Sequence, residues 1–122
     1  GHLFLNQGKW HGQPLISAKW IQAATSVQVP ATVPLGHAAS SIDGRGVYGF
    51  NWWVNGLQPD GQRLWPGAPV GTFAASGHNN NRMFVVPEWQ MVIVRLGLDQ
   101  NDRKIGDEVW SSFLSKVGAG LR

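Results

Sequence analysis

Phe73-Ala-Ala-Ser-Gly-His-Asn-Asn-Asn-Arg-Met-Phe-Val-Val-Pro-Glu88 is the stretch that decides the fold. Thr72 to Ser76 and Arg82 to Val86 are rich in small, apolar and β-branched residues, and they read as two strands. Gly77-His-Asn-Asn-Asn81 separates them. Glycine and asparagine tolerate positive φ, so this link suits a tight turn. Pro87-Glu-Trp-Gln90 reads as a second turn, and Met91 to Leu98 as a third, apolar strand. Strands joined by such short links must pair antiparallel.

Working outward, Val47 to Asn55 is aromatic and β-rich and reads as a further strand. Pro59-Asp-Gly61 is a turn by composition, Gln62 to Trp65 a short paired strand, and Pro66-Gly-Ala-Pro69 irregular. Residues 26–46 carry prolines, glycines and small polar residues without periodicity, and read as a long surface or functional loop. Ser17 is placed to cap a short helix through Ala24, with Trp20 and Ile21 facing inward. Residues 8–14 form a turn or small hairpin, and residues 1–6 the last turns of a helix. At the other end, Ile105, Val109, Trp110, Phe113, Leu114 and Val117 fall on one helical face. Asp102 or Asp107 can cap that helix, and Gly118 can end it in a left-handed C-cap. The expected fold class is α+β: an antiparallel β-meander of three or more strands flanked by helices.

The chain has 122 residues, enough for a single domain over 1–122. The apolar start without a preceding cap makes this domain the expected C-terminal fragment of something longer. Charged residues are 14% against an average of about 25%, and 43% are hydrophobic, which excludes charge-driven disorder. The net charge of +3 is scattered, with only Arg103 and Lys104 adjacent, so no nucleic-acid partner is expected. No apolar run approaches the roughly 18 residues of a membrane span. Cysteine is absent, which removes disulfides and thiolate chemistry. Seven tryptophans and sixteen glycines suit a loop-rich domain with large aromatic anchors.

Spacing alone yields no nucleophile–base pair. His2, His11, His37 and His78 lie too far apart in sequence for a local zinc motif, so no metal or cofactor is expected. Asp99, Asp102, Asp107 and Glu108 cluster where helix N-terminal charge is favourable. No phosphate-binding glycine pattern is present. Ser76 lacks the flanking glycines of a nucleophile elbow, and no serine has lysine three residues on.

Five segments in order nevertheless resemble the C-terminal third of the serine β-lactamase-related hydrolases. They are Tyr48-Gly-Phe-Asn-Trp-Trp-Val54, Pro66-Gly-Ala-Pro69, Phe73-Ala-Ala-Ser-Gly-His78, Val85-Val-Pro-Glu88 and Val92-Ile-Val-Arg-Leu-Gly97. Gly8-Lys-Trp-His-Gly-Gln-Pro-Leu-Ile-Ser17 is similar to the turn and helix start that precede this region. The family comprises class C β-lactamases, D-alanyl-D-alanine peptidases, family VIII esterases and nylon-oligomer hydrolases. Tyr48-Gly-Phe-Asn-Trp-Trp53 and the hairpin look closest to the esterase and nylon-oligomer hydrolase side. The resemblance implies a portion of the β-lactamase/transpeptidase-like fold. It places Ala75-Ser76-Gly77 at the family's third motif, on a strand edging the pocket. The backbone N–H of His78 would then be one of two oxyanion donors, with Ser76 and Gly77 beside it. Ala75 stands where the family carries a cation.

The first two motifs, which supply Ser, Lys and Tyr, are not in the chain, so the chain alone should be inactive. The small-molecule acyl substrate would belong to an intact parent, with Ala75, Trp52 and Trp53 lining its site. The resemblance implies a periplasmic or secreted parent. Two rivals stand beside this reading. One is a non-catalytic ligand- or carbohydrate-binding module using Trp52, Trp53, Trp65 and Trp89 as a stacking platform, and the other is an inactive structural relative. A piece of a larger sheet would also leave an edge open, through which a homo-oligomer could form.

Overall fold

A computed structural model describes residues 1–36, 42–99 and 105–121. The elements are α1 (His2–Leu5), β1 (Lys9–Trp10), β2 (Gln13–Pro14), α2 (Ala18–Ala24), β3 (Trp53–Val54), β4 (Phe73–Ser76), β5 (Arg82–Val86), β6 (Met91–Arg95) and α3 (Asp107–Ala119). Strands β3-β4-β5-β6 form one antiparallel sheet in sequence order, and β1 and β2 form a separate hairpin. The α+β meander expected from the sequence is the architecture found.

The register explains how the sheet is covered. Trp53, Ala74, Phe84 and Ile93 lie opposite one another across the four strands. They point to the face covered by α3, where Trp65, Trp110 and Leu114 complete a core. The neighbouring row, Val54, Phe73, Val85 and Val92, points to the opposite face. There Phe4 and Leu5 of α1 pack on it together with Trp52. This strict alternation assigns Ala75 and Met83 to the α1 face, and Ser76, Arg82 and Arg95 to the α3 face.

Several local expectations hold. The Ser17 hydroxyl accepts from the Trp20 N–H at 3.1 Å and starts α2 where the cap signal placed it. The β1–β2 turn uses His11 and Gly12, both at positive φ, as a two-residue hairpin requires. Residues 77–81 do turn tightly, with Asn79 and Asn80 both at φ 57°.

Other expectations are corrected. Trp20 faces outward, 51% exposed, and stacks on Phe50, while Ile21 alone of the pair is buried. Val47 to Asn55 is not one strand. The Gly49 N–H donates to the Trp52 carbonyl at 2.8 Å, and Asn51 adopts φ 61°. The segment therefore folds back on itself, leaving only Trp53–Val54 in the sheet. Gly49 is required there, because a Cβ would lie 2.2 Å from the Ala24 carbonyl oxygen. Gln62 to Trp65 forms no strand and contributes only the single bridge Leu57–Arg63. Strand β6 ends at Arg95, three residues early, and Leu96 and Leu98 are exposed.

At the last helix, Gly106 is the N-cap and Asp107 sits in the first turn; Asp102 lies outside the described residues. Gly118 is inside the helix, and Gly120 ends it at φ −78°, which is not left-handed. Its buried stripe is narrower than expected: Trp110 and Leu114 are covered, while Val109 and Phe113 are exposed. No helix among the described residues is long and apolar enough to cross a membrane.

Candidate functional site

The site is built by a mismatch in strand length. Strand β3 pairs only with Phe73 and Ala74, so β4 outruns it by two residues. On the β5 side the ladder continues, with the Gly77 N–H donating to the Asn81 carbonyl at 2.8 Å. Gly77 is itself extended, at φ −127° and ψ −178°. Alternating N–H direction along an extended strand then sends the Ser76 and His78 N–H groups the other way, toward the open edge. The His78 N–H has no hydrogen-bond partner among the described residues.

Three clefts, of about 610, 550 and 380 Å³, share Ser76 and Ile42 in their walls. Gly77 and His78 border the first two, Tyr48 and Trp53 border the second, and Trp53, Leu64 and Asp43 the third. The Ser76–His78 edge is thus both backbone-exposed and surrounded by space for a small molecule. That combination suits a ligand lying along a strand, taking hydrogen bonds from main-chain N–H groups.

The charges nearby are engaged with one another. Arg82, directly across the hairpin from Ser76, pairs with Asp107 at 2.9 Å, and Asp107 also accepts from the Trp65 indole N–H at 3.0 Å. The Arg82 guanidinium lies 5.4 Å from the Trp110 ring centre. This arginine, 13% exposed in its side chain, therefore already has a counter-charge and an aromatic face.

A second cluster ties the hairpin tip to the end of β6. Asp99 is paired with Arg95 and accepts from the Asn80 side-chain amide at 2.8 Å and the Ile105 N–H at 3.2 Å. The Arg95 hydrogen bond foremost, then that of Asn80, holds the Asp99 carboxyl below its usual range against the opposing effect of burial. A carboxyl lowered on folding stabilises the fold above its unfolded pKa of about 3.9, and that stabilisation is lost as pH falls through its folded value. Asp99→Asn is accordingly expected to lower Tm at pH 7, with the gap from the unmodified chain closing as pH falls below about 4. Calorimetry at pH 7 and pH 3 measures it, and a gap independent of pH would contradict the assignment.

Of the residues singled out from the sequence, Ser76, Gly77, His78 and Trp53 come together at the clefts. Ala75 is beside them but on the α1 face, packed toward Phe73 and Met83. Trp52 is not at the site. It is 9% exposed on the opposite face, 4.6 Å from Phe4 and 5.1 Å from Phe73, centre to centre. One position along an extended strand turns a side chain to the other face, which separates Trp52 from Trp53. Trp65 is fully buried, and Trp89 packs at Gly118, so the four-tryptophan platform does not form. Ser76 has no base hydrogen-bonded to it among the described residues. No group of three or more His, Cys, Asp or Glu side chains able to hold a metal occurs among the described residues; His37 lies outside them.

Sequence reasoning set Arg82 across the hairpin without fixing its reach, and missed Asp107 and Asn81 as parts of this region. The pairing of β4 with β5 carried a signal for Arg82, which must face Ser76 once the hairpin register is set. Asp107 carried none, because its partners Trp65 and Arg82 are 42 and 25 residues away.

No family model matches the chain. An uncharacterized protein of Alkalihalophilus pseudofirmus is 25% identical over 125 residues, covering 94% of this chain and 35% of that protein. The crystal structure of a "putative beta-lactamase" from Bacteroides dorei matches with a TM-score of 0.54 at 12% identity, over 97% of this chain and 36% of its own. The chain spans about a third of the length of each. At that identity the likeness is one of fold, and the fold is β-lactamase-like.

Proposed function

We propose that the chain is the C-terminal part of a serine hydrolase that works through an acyl-enzyme, and that it contributes the strand edge against which the acyl group lies. The observation that carries this reading is the Ser76–His78 edge, unpaired among the described residues and facing open clefts. The sequence resemblance around Ala75-Ser-Gly-His78 and the β-lactamase-like fold support it. In this mechanism a serine outside the chain adds to the substrate carbonyl. Its proton passes to a neighbouring base and on to the leaving group as the scissile bond breaks; water then repeats the attack on the ester and frees the serine. The His78 N–H points at the developing oxyanion, and Gly77 has no side chain to obstruct the acyl group.

The preferred substrates are neutral esters or linear amides. A β-lactam carries a carboxylate beside the scissile amide. Ala75 offers it no charge, and Arg82 is already neutralised by Asp107. A missing charge-assisted hydrogen bond costs about 1.5–3 kcal/mol, or roughly ten- to a hundredfold in rate. The full-length protein is expected to hydrolyse p-nitrophenyl butyrate with a higher kcat/KM than nitrocefin, by about that factor. Preference for nitrocefin would sink the assignment.

A further inference from the structure

We propose that Asn81 is a positioning residue that fixes the direction of the His78 N–H; this rests on the reading of the β4 edge given above. The peptide group that carries that N–H joins Gly77 to His78, and Asn81 holds the chain on both sides of it. Before it, the Gly77 N–H donates to the Asn81 carbonyl at 2.8 Å. After it, the His78 carbonyl accepts from the Asn81 side-chain amide at 2.7 Å and from the Asn81 N–H at 3.2 Å. The Asn81 side chain is itself anchored, its Oδ1 accepting from the Gly97 N–H at 2.8 Å just beyond β6. One partner is a backbone carbonyl and the other a backbone N–H, so the amide has only one satisfactory orientation.

This arrangement matters because the turn it spans is conformationally unusual. Asn79 and Asn80 are both left-handed, each at φ 57°. Such residues persist when surrounding contacts over-determine them. Asn80 is fixed by Asp99 and Ile105, but those bonds hold the far side of the turn. Among the described residues, Asn81 alone grips the peptide units on either side of the donor. An oxyanion donor acts by direction, and a displacement near 1 Å can cost about a hundredfold.

The test uses the full-length protein with p-nitrophenyl butyrate, comparing Asn81→Asp and Asn81→Ala with the unmodified enzyme. Asn81→Asp keeps the acceptor for Gly97 and loses the donor to His78; Asn81→Ala loses both. Each is expected to lower kcat by about ten- to a hundredfold with KM nearly unchanged. Each is also expected to weaken a trifluoromethyl ketone inhibitor, whose hydrate-like adduct presents the oxyanion, by the same factor. Asn81→Gln, with the same donor and acceptor on a longer stem, should recover part of the loss. A merely structural residue would lower Tm and the amount of active enzyme without changing inhibitor affinity per active site. Unchanged kcat and inhibitor affinity in both variants, with an active unmodified enzyme, would overturn the positioning role alone. No turnover by the unmodified full-length protein would overturn that role together with the reading of the edge.

Discussion

On the proposed acyl-enzyme reading, replacing His78 with proline is expected to lower kcat of the full-length protein by about a hundred- to a thousandfold, the cost of removing one oxyanion donor. The substitution deletes the backbone hydrogen together with the imidazole and leaves the backbone conformation in place. Gly77, at φ −127° and ψ −178°, is in the extended region that a residue before proline must adopt. His78 opens a 3₁₀ turn with negative φ, and the first position of a helical turn accepts proline. No hydrogen bond is lost among the described residues, where this N–H has no partner. His78→Ala keeps the N–H and removes the imidazole, so it should retain nearly all activity. Equal losses in the two variants would transfer the role from the backbone to the side chain, against the account.

Trp65→Ala is expected to destabilise the chain by about 3–5 kcal/mol, as large-to-small changes of buried aromatics do. Trp65 is fully buried and meets the Phe84 ring edge-on at 5.0 Å. Its indole N–H serves Asp107, the partner of Arg82, so the loss reaches from the core to the wall of the clefts. Its backbone N–H and carbonyl are both held by the buried Asn55 side chain, at 2.8 and 3.0 Å. Trp20→Ala is the matched control. It removes an exposed ring stacked on Phe50, a contact worth about 0.5–1.5 kcal/mol. Urea unfolding compares the two midpoints, and similar shifts would contradict the placement of either tryptophan.

These two tryptophans also mark how far the sequence could be read. Local chemistry was legible. The Ser17 cap, the His11-Gly12 turn and the asparagine-rich link at 77–81 each follow from residues acting within a few positions of one another. The meander followed, because links that short leave antiparallel pairing as the only option. Trp20 was misread because helical spacing gives a face but not its width, and α2 buries only Ile21 and Ala24. The break in Val47 to Asn55 was hidden because it depends on Gly49 approaching Ala24, a residue of another element. The site was half legible. Resemblance brought Ser76, Gly77 and His78 forward, and they do share one open edge. That Trp52 and Trp53 point to opposite faces depends on strand register, which needed the pairing of Trp53 with Ala74. The neutralisation of Arg82 needed the docking of α3, which sequence spacing does not encode.

In the proposed reaction the nucleophile lies outside this chain while the oxyanion edge lies within it. Mass-spectrometric peptide mapping after treatment with a fluorophosphonate, which labels activated serines covalently, tests that division most directly. The predicted result is one adduct on the full-length protein, at a serine outside these 122 residues, and none on the 122-residue chain alone. An adduct on Ser76 of the isolated chain, or no adduct on the full-length protein, would contradict it.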